Sequence, residues 1–294
     1  MHKNIIITGG SGQDGQILVK ILKKSKNKIF IFSKKGLFPK KKQNFYFVKE
    51  NLLNKKKLDI FFKKNKPDIV LHLAAKNPNF LEKKKRFFKE NFLATKNIFL
   101  STFHANKNAK FIFCSSSKIF KKKTGFVNEK SRKIISSDYT KFRIKSDNFM
   151  LAYKKKYKIN YTNAILFNHD SKFRNKKFLF PRLIKFIKNK DNINLKKIIK
   201  ANIVSDFSHA EDICYGLKKL IFSNLNHDSV ILSSGKSTSV NEILDYILIK
   251  HNLKLGLKIK KNTNQKSLIG NNDLAKKTLN WKQKKNIFLA VDDI

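Results

Sequence analysis

Asn4-Ile5-Ile6-Ile7-Thr8-Gly9-Gly10-Ser11-Gly12-Gln13-Asp14-Gly15 carries a short apolar run straight into a glycine cluster. A run of that length, bounded by glycine, reads as a strand buried on both faces. Beyond it, Ile17, Leu18, Ile21 and Leu22 recur at helical spacing. Four of the ten glycines in this 294-residue chain fall within seven positions, in the pattern Gly9-x-x-Gly12-x-x-Gly15. Glycine lets a backbone come close to a pyrophosphate, and a helix N-terminus adds amide donors and a favourable dipole. A chain that otherwise avoids glycine has little reason to spend four on a plain turn. The strand, the loop and the helix together predict a dinucleotide-binding unit.

Further along, strands are expected at Lys28 to Phe32, Phe45 to Val48, Ile69 to Leu73, Phe111 to Cys114, Tyr161 to Phe167 and Ser229 to Ser233. Helices are expected near Asn54 to Lys64, Phe87 to Phe103, Tyr139 to Tyr153, His209 to Phe222, Val240 to Lys250 and Asn272 to Leu279. The helix before Pro67 must stop there, because the residue preceding proline disfavours helix. Ser239 and Glu242 form a capping box at the start of another. Doubly apolar strands alternating with helices predict an α/β fold, a Rossmann-type doubly wound parallel sheet. Residues 1–167 are expected to form the nucleotide-binding domain. Residues 168–294, where the pattern loosens, should form a small C-terminal substrate lobe interleaved with the last strands and helices of the sheet.

The formal charge of +46 invites a nucleic-acid reading. Of the 66 basic residues, however, 61 are Lys and five Arg, while Phe reaches 27 and Pro only 4. Lys, Asn, Phe and Ile have AT-rich codons, so this composition looks like an AT-biased genome written over an ordinary fold. Readers of phosphate and base edges lean on the planar arginine fork. The lysine runs Lys40 to Lys42, Lys83 to Lys85 and Lys121 to Lys123 are expected in loops or exposed turns. The charge is therefore read as background, with no specific nucleic-acid partner. No apolar run approaches ~18 residues, so no membrane span is expected. The first residues read as a strand and not as a secretory signal. Cys114 and Cys214 give neither a disulfide framework nor a metal site and fit a reducing cytosol. His169 and His209 lack companion ligands at metal spacing and read as core or substrate-edge residues. Glu211 and Asp212 read as first-turn charges complementing a helix dipole.

After the second strand come Ser33-Lys34-Lys35, with no carboxylate to hold a ribose 2′-hydroxyl. That absence favours NADP over NAD.

Several segments, in chain order, carry a family resemblance. Thr8 to Gly15 resembles the T-G-x-x-G-Q-D-G opening of the GDP-mannose 4,6-dehydratases, which are extended short-chain dehydrogenase/reductases. Leu71-His72-Leu73-Ala74-Ala75 is similar to their N-L-A-A segment along the cofactor, and Asn91, Thr95 and Asn97 to their V-N-x-x-G-T-x-N helix. Leu166-Phe167-Asn168-His169-Asp170-Ser171 resembles L-F-N-H-E-S, the most specific match. Ser205 to Ala210 resembles R-D-W-G-H-A, and Leu268 to Asn271 with Leu279-Asn280-Trp281 resembles the closing L-x-G-D and L-G-W.

The resemblance implies a cytoplasmic, nicotinamide-dependent enzyme acting on a nucleotide-diphosphate sugar, GDP-linked in the family, and forming a homodimer or homotetramer. It places cofactor contacts on Gly9, Gly12, Gln13, Asp14, Gly15, Ser33, Lys34, Lys35, Asn51, Leu52, Leu73, Ala74, Ala75 and His169. Substrate contacts fall on Asn168, Arg174 and Arg182, and the catalytic hydroxyls on Ser116 and Tyr139. A phenol with an ordinary pKa near 10 must be tuned downwards to act as a base near neutrality. The family uses a lysine one helical turn on, and here that position is Arg143. The glutamate base of the dehydratases is replaced by Lys118, which cannot accept the C5 proton of the sugar unless strongly desolvated. Ser205 and Phe173 stand where the family has phosphate-binding arginines. Dehydratase, 4-keto reductase and 4-epimerase all remain open on these residues, as does a cofactor-binding protein with weakened catalysis.

Overall fold

A computed structural model describes residues 2–34, 41–42, 44–76, 86–259 and 266–294. The first part of the chain runs β1 (Asn4–Thr8), α1 (Gln13–Ile21), β2 (Lys28–Phe32), β3 (Lys41–Lys42), β4 (Phe45–Val48), α2 (Lys55–Asn65), β5 (Ile69–His72), α3 (Phe87–Ala105) and β6 (Lys110–Ser116). Then follow β7 (Gly125–Val127), α4 (Asp138–Tyr157), β8 (Tyr161–Leu166), β9 (Asn168–Asp170), α5 (Leu179–Lys188), α6 (Asn192–Ala201), β10 (Val204–Ser205) and β11 (Phe207–His209). The rest comprises α7 (Ala210–Phe222), β12 (Ser229–Leu232), β13 (Thr238–Ser239), α8 (Val240–Lys250), β14 (Leu268–Gly270), α9 (Asp273–Leu279) and α10 (Ile287–Asp292).

Eight strands form the central sheet in the order β12-β8-β6-β5-β1-β2-β4-β3. All pair in parallel except β3, which runs antiparallel against β4 through Lys41↔Tyr46 and Lys42↔Phe45. Lys41 and Lys42 thus belong to an edge strand, not to the loop expected for that lysine run. Along β1 the side chains alternate between two cores. Ile5 and Ile7 pack with α1 and α7, while Ile6 faces the opposite layer with Leu58 of α2, Phe99 of α3 and Phe142 of α4. Burial on both faces explains why the strand is apolar without alternation.

The chain leaves β1 towards β2 and β4, then returns to β5 on the other side. The resulting switch point lies at the carboxyl ends of β1 and β5, where ligands bind in such sheets. A third core, from Phe180, Leu183, Leu195, Phe207, Ile243, Leu244 and Ile287, holds α5, α6, α8 and α10 together. Helices α5 and α6 and the short strands β9 and β11 had no clear signal in the sequence. Strands of two or three residues exist because a distant partner pairs with them, as β9 does with β11 through His169↔Ser208. No helix among the described residues is long and apolar enough to cross a membrane.

Candidate active site

At the switch point, Gly9 adopts a φ of +81°. A Cβ there would lie 3.0 Å from the Ala74 amide nitrogen, so only glycine lets the loop touch the end of β5. Gly15 is needed for a second reason: its Cβ would meet Gly10 Cα at 2.5 Å, so α1 can slide under the loop only without one. Gly12 differs, since its Cβ would have only Gly9 O near it, at 3.2 Å. Gly12 is also the N-cap of α1 and supplies no side-chain acceptor, leaving first-turn amides available to an anion.

Gly15 lies beneath the loop, whereas Gly9 and Gly12 line a cleft of about 710 Å³ together with Gln13, Ser33, Lys34, Asn51, Leu52, Leu73, Ala74 and Ala75. Its floor is tied down by the polar residues of α3. Asn91 Oδ1 accepts from the Lys76 amide at 2.7 Å, and Asn97 Nδ2 donates to Leu52 O at 3.1 Å. Thr95 Oγ1 lies 2.9 Å from His72 Nε2, and Thr8 Oγ1 lies 2.7 Å from His72 Nδ1. Burial, with the Arg143 charge nearby, pushes His72 down to about 3, so it is a neutral spacer between the loops. The size of the cleft, the glycine cradle and the open helix end fit a dinucleotide.

A second cavity of about 580 Å³ adjoins the first, and Leu73, Arg174 and Phe178 line both. It is lined by Asp14, Ser116, Lys118, Asp138, Tyr139, Arg143, Asn168 and His169, drawn from five elements and loops. Tyr139 is placed by the capping box of α4, in which Ser137 Oγ accepts from the Thr140 amide at 3.2 Å. That cap sets Tyr139 in the first turn, with Arg143 one turn on and on the same face. The Arg143 guanidinium lies 5.2 Å from the Tyr139 ring centre and 4.8 Å from that of Phe142, and it donates to the Cys114 carbonyl. Burial pushes the Tyr139 phenol up, but Arg143 and a hydrogen bond with Ser116 outweigh it, and the net shift is downwards. Two buried polar atoms of this wall, Ser115 Oγ and Arg143 Nε, have no partner among the described residues.

Lys118 is the middle residue of the 3-10 turn after β6, and it is exposed. Asn168, also exposed, donates from Nδ2 to Ser205 Oγ at 2.7 Å. Arg182 stands apart on α5, exposed over the Phe186 ring at 5.5 Å, and lines neither cavity. Lys35 lies outside the described residues. Phe178, Glu50 and Asp138 line the cavities without having been singled out in the sequence, and Phe173, noted there only as a lost arginine, lines the first. Only tertiary packing brings them there, and no spacing pattern marks them.

The most specific sequence segments prove to be two sides of one contact. His169 Nε2 lies 3.1 and 3.2 Å from the Asp14 oxygens, and Gln13 Nε2 donates to His169 O at 3.3 Å. Ser171 Oγ donates to Gln13 Oε1 at 3.1 Å, and Arg174 Nε to Asp170 Oδ1 at 3.0 Å. Asp206 accepts from the amides of Ser234, Gly235 and Gly270, at 2.8, 3.1 and 3.1 Å, and so holds two loops together. Asp212 does more than complement a dipole: buried, it accepts from the Lys284 and Lys285 amides at 3.0 and 2.7 Å. His209 Nδ1 accepts from the Glu211 amide at 3.1 Å and caps α7. Among the described residues, no three His, Cys, Asp or Glu side chains gather to hold a metal.

Sheet order, glycine loop and the Ser-Tyr-basic constellation define an extended short-chain dehydrogenase/reductase. The chain matches the GDP-mannose 4,6 dehydratase family over residues 6–294 and belongs to it, within the nucleotide-sugar dehydratases and epimerases. None of the curated proteins matches it by sequence. Among solved structures it is similar to dTDP-glucose 4,6-dehydratase from Bacillus anthracis in complex with NAD. That match has 18% identity, covers 99% of this chain and 94% of that one, and has a TM-score of 0.80. UDP-glucuronic acid 4-epimerase from Bacillus cereus, in complex with NAD, matches at 19% identity over 99% and 96% of the chains, with a TM-score of 0.80. RMD from Pseudomonas aeruginosa, complexed with NADPH, matches at 17% identity over 100% and 96%, with a TM-score of 0.78.

Proposed function

We propose that this protein is a nicotinamide-dependent enzyme that interconverts hydroxyl and ketone at C4 of a nucleotide-diphosphate sugar, with NADPH-dependent reduction of a 4-keto sugar as its favoured direction. The reading rests on one observation: the cavity lined by Ser116, Tyr139 and Arg143 opens into the glycine-loop cleft through Leu73, Arg174 and Phe178. A dinucleotide would be held by Gly9, Gly12 and Gln13 at its diphosphate and by Leu73 to Ala75 along its length. Ser33 and Lys34 line the same cleft directly after β2, where a carboxylate would favour NAD, and this supports NADP; Glu50 and Glu90 reach the cleft from other elements. When bound, the nicotinamide supplies the hydride chemistry. Ser116 and Tyr139 orient the C4 oxygen, and the Tyr139 hydroxyl gives its proton to that oxygen as the ketone becomes an alcohol. Arg143 stabilises the phenolate left behind. Asn168 and Arg174 face the same cavity and are suited to the sugar and its diphosphate.

Family membership supports GDP as the nucleotide and keeps 4,6-dehydration as the second reading, but exposed Lys118 in the base position weighs against it. Helices α3 and α4 pack side by side, and the family resemblance supports a homodimer or homotetramer formed through them. The proposed setting is the cytoplasm. The test is a panel of nucleotide sugars and 4-keto nucleotide sugars incubated with NADP(H) and read by mass spectrometry. Reduction of a 4-keto substrate is expected; turnover of none of them, with tight NADPH binding, would leave a cofactor-binding protein without this catalysis.

A further inference from the structure

We propose that His169 is the counter-charge of the glycine loop: its imidazolium neutralises Asp14 in the first turn of α1, so that this helix end accepts a diphosphate. The proposal rests on the dinucleotide reading of the cleft. Asp14 is the one acidic residue in the first turn of α1. A carboxylate there favours the free helix, but it competes with any phosphate brought to the same end. Unpaired, it would repel the ligand for which the glycines make room.

Geometry holds the imidazole in its charged form. Nδ1 lies 2.7 Å from the Phe167 carbonyl oxygen, which can only accept, so Nδ1 carries a proton. Nε2 faces both oxygens of Asp14 at 3.1 and 3.2 Å, so it donates as well. The charged groups around the pair are few. Arg174 and Asp170 bond each other beside it, with Arg174 also donating to the His169 carbonyl. Cys114 of β6 and Cys214 of α7 face it as protonated thiols, since burial pushes both upwards. Across the cavity stand Lys118, Asp138, Tyr139 and Arg143. Burial opposes the charge on His169, but Asp14 outweighs it and raises His169 above the ordinary histidine value. Burial likewise works against the Asp14 carboxylate, yet His169 and Arg174 hold it down at about 2.

Two consequences separate charge balance from mere packing. As pH rises through the His169 value the carboxylate is left uncompensated, so dinucleotide affinity should fall on the alkaline side. Removing the histidine alone should also do more harm than removing both partners. The experiment is calorimetric titration of the full chain with NADPH between pH 7 and 9.5, for wild type and four variants, with circular dichroism of each. Gly12→Val serves as the control for the cleft itself. We expect His169→Gln to bind roughly tenfold more weakly at pH 7, as loss of a partly buried ion pair implies, and to lose most of the pH dependence. Asp14→Asn/His169→Gln should bind more tightly than His169→Gln alone, close to Asp14→Asn. If wild type binds NADPH while His169→Gln matches it, or the double variant is the weakest of all, His169 is not the counter-charge. If wild type and Gly12→Val bind alike or not at all, the cleft reading itself falls, and this proposal with it.

Discussion

The Arg143 guanidinium lies 5.2 Å from the ring centre of Tyr139 and is anchored to the backbone carbonyl of Cys114. Only 8% of the arginine is exposed, and the rings of Phe113 and Phe142 enclose it further. A lysine at this position would carry a compact charge on a mobile stem, whereas the planar fork is held in place. The charge therefore stays beside the phenol and lowers its pKa from behind.

This arrangement sets the pH dependence of turnover. Reduction needs the protonated phenol, so its rate should fall as pH rises through the Tyr139 pKa, which lies below its ordinary value. Oxidation needs the phenolate and should rise over the same range. In Arg143→Met, burial acts with less opposition, so the break in both profiles should move to higher pH, as should the ultraviolet titration of the phenolate. An unmoved break would mean that Arg143 does not tune the tyrosine. Tyr139→Phe should cost about 10²- to 10⁴-fold in turnover while retaining cofactor binding.

The glycines of the loop should respond differently to substitution. Gly12 has an extended backbone, with φ −74° and ψ 169°, and a Cβ there meets only Gly9 O at 3.2 Å. Gly12→Val should fold with stability changed by about 1 kcal/mol or less, yet lose NADPH binding. Gly15→Ala forces a carbon to within 2.5 Å of Gly10 Cα and should cost roughly 1–3 kcal/mol of stability. Thermal melts and calorimetry on the two variants check the contrast, and equal behaviour would contradict it.

Lys118 separates reduction from dehydration. Dehydration requires a group that removes the C5 proton, and an exposed cation in the base position does not. GDP-mannose should be dehydrated weakly or not at all, and Lys118→Glu should raise any such activity. Turnover of GDP-mannose in deuterated water is the measurement. Rapid wild-type formation of a 4-keto-6-deoxy product labelled at C5 would overturn the expectation.

Asp206 should matter for stability and not for chemistry. Its buried carboxylate accepts three amides, and the Ser234 hydroxyl at 2.6 Å besides. Asp206→Ala would leave those donors unpaired, at a cost of about 2–4 kcal/mol. Denaturant unfolding reads the loss. A change within about 0.5 kcal/mol would show that the loops close without it.

Much of the site was legible because local rules coincide with the function. Thr8 to Gly15 announced the strand, the turn and the helix at once, since each follows from neighbours in sequence. The helix expected from Tyr139, read with the family resemblance, placed a tyrosine and a basic residue one turn apart at Tyr139 and Arg143, while the Ser137 cap that sets its start emerged only in the structure. Lys110 shows the opposite case. Among so many lysines it carried no signal, yet it is buried, donating to the carbonyls of Leu220 and Ser223 at 2.5 and 2.7 Å at the end of α7, and burial lowers it to about 8. Arg182 and Arg174 read alike in sequence, but only Arg174 reaches the cavities.

Local chemistry alone thus settled the doubly wound class, the glycine loop and the tyrosine helix, because apolar periodicity, capping and glycine freedom act within a few residues. The pairing of Asp14 with His169, 155 residues apart, was settled only when the sheet formed. So were the second reason for Gly15, the paired strands β9 and β11, and the aromatic walls from Phe173 and Phe178. Contacts of that kind depend on which strand lies beside which, and strand order is fixed by burial summed over the whole chain, which no short stretch of residues contains.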